Sequence, residues 1–120
     1  MATGKRKNDN QPWHVDILKK AEKQILKLPI KPVDILSEFF ALKTSLEFNG
    51  PEQFDYENYG KLKNKPKGEE WHHCHLNKKI KNVLPAYVVV WYVYREDRIV
   101  EINHVDSHEK TDYKRFRKKR

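Results

Sequence analysis

Cysteine is nearly absent: Cys74 is the single one in 120 residues, which excludes an intrachain disulfide and a cysteine-rich zinc site and suits a reducing compartment. No apolar run approaches the length a bilayer requires. The opening MATGKRKNDNQ carries basic residues with no apolar stretch behind them, so it is not expected to act as a secretory signal. No internal repeat is detectable. Acidic side chains are outnumbered, 17 against 25 Lys and Arg, and the formal charge of +8 makes polyanions the natural partners: nucleic acid, a ribosome or an acidic protein. A cytoplasmic protein with no membrane association is expected. The length suits one domain with one core. Its expected boundaries are a disordered basic arm over 1–12, a domain over 13–113 and a basic tail over 114–120.

What is present is organised around Ala86 to Tyr94, AYVVVWYVY, which holds no charge and is rich in β-branched and aromatic residues. It reads as a strand buried on both faces, the central one of its sheet. Before it, Trp13, Val15 and Ile17 alternate as in a strand, while Leu18, Ala21, Ile25 and Leu28 recur at helical spacing. A short strand running into a short helix fits both patterns, and one longer helix from Trp13 competes with it. From Pro32 a second helix presents Val33, Leu36 and Phe40 beside Ile35, Phe39, Leu42 and Leu46 as one wide apolar face, stopping at Asn49-Gly50. Residues 50–70 read as mostly loop, with Lys61, Lys63, Lys65 and Lys67 spaced to share one face if extended.

Histidine-bearing segments flank the central run. In EEWHHCHL, period two sets Trp71, His73 and His75 against His72, Cys74 and Leu76, with Cys74 assigned to the core. Beyond the turn at Arg95–Arg98, period two over Ile99–Val105 sets Glu101, Asn103 and Val105 against Val100, Ile102 and His104. If both segments neighbour the central strand, imidazoles and lysines gather at one edge region, and the function is expected there. From Lys110 onward seven Lys or Arg face one Asp, which describes either a frayed tail or a helix that orders on a partner.

Through AEKQILKLP, GKLKN, EEWHHCHL, PAYVVVWYVY and RIVEINHVDSHEKTDY the chain resembles the RelE/ParE superfamily of bacterial toxin–antitoxin toxins over Trp13 to Tyr113. The resemblance is to the RelE- and YafQ-like branch of ribosome-dependent mRNA endonucleases. It implies an α+β fold, a helical hairpin packed on a small twisted, mostly antiparallel sheet, with the active site on the concave side. It also implies functional positions at Lys61, His75, Tyr87, His108 and Tyr113. Ala86 stands where such toxins can carry an acidic residue. The implied partners are a cognate antitoxin, mRNA on the 70S ribosome and, through the antitoxin, operator DNA. No cofactor or metal is implied.

RNA cleavage by its own 2′-OH requires proton removal, charge stabilisation on the phosphorane and protonation of the leaving 5′-oxygen. Imidazoles serve the proton transfers near neutral pH, at roughly 10²–10⁴-fold in rate, and cations serve the charge. The candidate catalytic residues are therefore His108, His75, His73 and Lys61. Lys63, Lys65, Lys67, Tyr87, Tyr113 and Arg115 are the candidate RNA contacts, the rings by stacking. Within HHCH only His73 and His75 share a face, so zinc would need a third ligand such as His104 or His108. Two rival readings remain open: a ParE-like gyrase inhibitor that cuts no RNA, and a non-catalytic RNA- or ribosome-binding module.

Overall fold

The computed structural model describes residues 11–118; most of the expected basic arm and the last two residues of the expected tail lie outside the described residues. Its elements run β1 (His14–Ile17), α1 (Lys19–Ile25), α2 (Ile35–Asn49), β2 (Glu57–Lys61), β3 (Trp71–His75), β4 (Tyr87–Tyr94) and β5 (Ile99–Ser107), followed by two 3₁₀ turns, His108–Lys110 and Tyr113–Arg115. The strands form one sheet in the order β1-β5-β4-β3-β2, so the charge-free run is the middle strand, as its composition requires. β1 pairs parallel with β5, and every other pairing is antiparallel. Two helices on a five-stranded, mostly antiparallel sheet make an α+β fold.

The helices cover one face of the sheet. On α2 the buried residues are Ile35, Phe39, Leu42 and Leu46, a single stripe at helical spacing. That stripe is narrower than the wide face the sequence suggests, because Phe40 is about half exposed and Phe48 more so. The helix starts at Asp34, whose carboxylate accepts from the Ser37 amide at 2.9 Å, two residues beyond Pro32. It stops at Gly50, whose φ of 87° puts it in left-handed space. A Cβ there would lie 2.9 Å from Trp13 Nε1, so glycine meets both a backbone and a packing demand. Of the two readings of the N-terminal pattern, the strand running into a helix is the one found.

Two features depart from the sequence reading. Residues 57–61 form an edge strand, where a loop was expected. Asn58 at φ 54° and a register shift between Glu57 and Gly60 break the alternation that would have signalled it. In β5 the register shifts by one between Val90 and Trp91, so His104 pairs with Val90 while Ile102 pairs with Trp91. Asn103 is the extra residue. Val105 therefore joins Val100 and Ile102 in the helix-side core, and His104 turns to the opposite face with Val90.

That opposite face has its own smaller cluster of Trp71, Val88, Val90, Tyr92 and Phe116. The basic C-terminal stretch runs back across it up to residue 118. Phe116 packs on Trp71, and Lys65 Nζ donates to the carbonyls of Tyr113 and Phe116. Lys118 Nζ donates to Glu101 at 3.1 Å and lies over the rings of Tyr92 and Tyr94. The sequence offered fraying or ordering on a partner for these residues; they order on their own sheet.

Candidate active site

Strand parity in β3 divides its histidines. His73 and His75 stand on the open face, opposite Val90 and Val88 of β4, while His72 and Cys74 face the helices. His108 begins the turn after β5, and its amide donates to the Ala86 carbonyl at 2.8 Å, which brings the turn beside the start of β4. The His75 and His108 ring centres are 5.3 Å apart. Tyr113 closes the group, 5.2 Å from His73 and 6.3 Å from His108. The sheet register and one short turn thus gather His73, His75, His108 and Tyr113 from three parts of the chain.

The His75–His108 pair opens on a cleft of about 430 Å³ that Lys78, Lys79, Glu57 and Asn58 also line. Burial pushes the His75 pKa below its ordinary value, and neighbouring His108 adds to the effect against the opposing pull of Glu57. His73 is lowered too, first by burial and then by the three surrounding histidines. Its Nδ1 is buried without a hydrogen-bond partner among the described residues. Both rings are therefore neutral near pH 7, able to accept a proton.

Other expected residues lie elsewhere. Lys61 ends β2 opposite His72, which puts it on the helix side, in a hollow bordered by Glu69 and Glu70. Tyr87 packs against the helix-side core, since its neighbour Val88 takes the open face. Lys63 and Lys65 line a second cleft of about 470 Å³ with Tyr113, Lys114 and Arg117. Lys65 also serves the chain itself through its two carbonyl contacts, and burial followed by Arg117 lowers its pKa. Lys67 and Arg115 are exposed. Tyr113 thus belongs to both the histidine cluster and the basic cleft, while Lys61 and Tyr87 reach neither.

His72, which has no role in the sequence reading, is fully buried. Its Nδ1 meets the Tyr59 hydroxyl at 2.7 Å and its Nε2 meets Glu70 at 2.7 Å, while Arg95 donates to both Glu70 and Glu52. Among the described residues Glu52, Glu70 and His72 are the one group of three whose metal-capable atoms lie within 4.8 Å of one another. The Arg95 guanidinium already compensates those carboxylates. The zinc partner considered for His73 and His75, His104, has both ring nitrogens engaged by Gln24 and Thr111. Parity within HHCH was the signal that separates His72 from its neighbours; its partners come from distant loops.

These buried groups set a pH dependence. Burial holds His104 down to about 4 from 6.5, with Lys20 and Arg115 contributing and Asp106 opposing. A histidine depressed on folding stabilises the fold fully above its unfolded pKa, and that contribution is lost as pH falls from 6.5 towards 4. Burial disfavours charged Glu70, but its bonds from Arg95 and His72 prevail and take it to about 2, so its contribution is also lost in acid. Thermal unfolding at pH 7 and pH 5 should show lower stability at pH 5, by on the order of 2 kcal/mol from His104 alone. A midpoint unchanged between these two values would contradict the buried neutral imidazole.

No protein-family model matches the chain, and no curated protein matches it in sequence. Among solved structures it is similar to RelE in the archaeal RelE–RelB complex from Pyrococcus horikoshii OT3, at 18% identity and TM-score 0.62, over 82% of this chain and 98% of that one. It is similar to a metal-bound toxin from Helicobacter pylori, at 17% and 0.61, over 83% and 99%, and to YoeB in the dimer from Staphylococcus aureus, at 16% and 0.58, over 80% and 97%. The chain has a RelE-like fold, as its resemblance in sequence implied.

Proposed function

We propose that this protein is the toxin of a toxin–antitoxin pair and acts as a ribosome-dependent mRNA endonuclease. The observation that carries this reading is the pair of imidazoles, His75 and His108, 5.3 Å apart on an open cleft with Lys78 and Lys79 in its wall. Neutral His75 takes the proton of a 2′-OH, O2′ attacks the adjacent phosphorus, and the P–O5′ bond breaks as His108 delivers a proton to the 5′-oxygen. The products are a 2′,3′-cyclic phosphate and a 5′-hydroxyl, with no metal required by the proton balance. Lys78 and Lys79 stabilise the phosphorane charge, and His73 and Tyr113 hold the nucleotide. The basic cleft beside Tyr113 supplies further phosphate contacts through Lys63, Lys114 and Arg117.

The protein acts in the cytoplasm on mRNA held by the 70S ribosome. A cognate antitoxin, a partner of the kind that the archaeal RelE–RelB complex contains, restrains it and carries the pair to operator DNA. Purified protein added to ribosomes programmed with a defined mRNA should yield cuts in the decoded frame, with 2′,3′-cyclic phosphate and 5′-hydroxyl ends. Bound but intact mRNA would replace this reading with that of a binding module. Intact translation with altered DNA supercoiling would replace it with gyrase inhibition.

A further inference from the structure

The bulge in β5 leaves a polar problem that the chain solves with side chains. β1 covers the edge of β5 only as far as Ile102, and the Leu18 amide makes the last backbone bond there, to the Ile102 carbonyl at 3.0 Å. Beyond it, the Val105 amide donates to Gln24 Oε1 from α1 at 2.9 Å. With its oxygen so used, the Gln24 amide turns its nitrogen to His104 Nδ1, at 3.4 Å. His104 Nε2 lies 3.0 Å from Thr111 Oγ1, and the Thr111 hydroxyl donates to the Ser107 carbonyl at 2.8 Å.

The two backbone ends set the direction of the whole series. Because Thr111 gives its only proton to Ser107, its oxygen must accept from His104, so the His104 proton is on Nε2 and Nδ1 is free to accept from Gln24. Bonds aligned in one direction polarise and strengthen one another in a buried site. The series ends on Ser107, the residue before His108, and Thr111 closes the same turn through its amide to the His108 carbonyl at 3.1 Å. The turn that carries His108 is therefore closed by Thr111, whose hydroxyl in turn rests on a buried imidazole.

We propose that His104 is a positioning residue: with Gln24 and Thr111 it fixes the turn that presents His108 to the cleft and couples that turn to helix α1. This rests on the reading of His108 as a participant in RNA cleavage. The groups around His104 are consistent with a ring kept neutral. Burial first, then Lys20 from α1 and Arg115 from the last turn, disfavour the charged form, and Asp106 of its own strand is the one opposing charge among those acting on it. A protonated ring would also direct its Nδ1 proton at the Gln24 amide nitrogen, which offers no acceptor.

The test compares Thr111→Val, Thr111→Ser, His104→Leu and the double variant Thr111→Val/His104→Leu in mRNA cutting on programmed ribosomes, with separate measurement of affinity for an RNA whose 2′-OH groups are replaced. Thr111→Val and His104→Leu should each lower kcat by about tenfold to a hundredfold with RNA affinity unchanged, since a small misplacement of an acid or base acts on rate. Thr111→Ser keeps the hydroxyl and should cut like the wild type. The double variant should be no slower than the slower single one. Unchanged kcat in Thr111→Val, or fully additive losses, would overturn the proposal.

Should the wild type leave RNA intact, the nuclease reading fails, and nitrogen NMR of the imidazoles still decides the geometry. A His104 proton on Nε2, with faster exchange of the His108 amide in Thr111→Val, supports the tether. A proton on Nδ1 refutes it.

Discussion

His108→Ala should lower mRNA cutting by roughly 10²–10⁴-fold, the range for losing one general acid or base, while the protein still binds RNA. His108 is exposed and carries no core packing, so the variant should fold as the wild type does. His75→Ala should lose a similar factor. The double variant should be little worse than either single one, because an acid and a base that act as a unit in one displacement do not contribute additively. The pH profile separates their roles. A base must be unprotonated, and the His75 pKa lies below its ordinary value, so rate should persist below pH 6.5 and fall only in more acidic buffer. Mapping the ends of cellular mRNA after induced expression provides the readout. Equal cutting by His108→Ala and wild type would remove His108 from the mechanism.

Phe116→Ala should cost about 3 kcal/mol of stability, as truncation of a buried phenylalanine does. Its ring is 8% exposed, wedged between Trp71 and His104. The larger consequence is local. Tyr113 stands three residues earlier in the same stretch, which Lys65 holds by the carbonyls of both residues. Freeing the segment should loosen Tyr113 from His73 and His108 and weaken RNA binding along the basic cleft. Trypsin gives a direct reading: Arg115 and Arg117 should become early cleavage sites in Phe116→Ala and stay protected in Phe116→Leu. Equal digestion of all three proteins would show that the ring does not hold the C-terminal stretch.

Much of the architecture was legible because one-dimensional periodicity reports burial directly. The charge-free run, the alternation in HHCH and the helical spacing of Ile35, Phe39, Leu42 and Leu46 each correspond to a face that must leave water. Strand β2 was not legible, because Asn58 and Gly60 disturb its alternation. Nor was the position of His104: one inserted residue, Asn103, reverses the faces beyond it, and no local pattern announces a bulge. Candidate chemistry was easier to list than to place. Histidines and lysines advertise proton transfer and anion binding wherever they occur, and residue type alone does not say which of them meet.

The sequence by itself determined a basic α+β domain, its middle strand, its two helices and the parity that separates His73 and His75 from His72. These follow from local propensity and from the period with which apolar side chains recur. Only the tertiary structure decided that His75 meets His108, that Lys61 and Tyr87 stand apart from them, that Lys65 clamps the C-terminal stretch, and that Gln24 reaches His104 across 80 residues. Such contacts depend on strand order, register and a single bulge, and those are set by the packing of the whole chain rather than by any one segment of it.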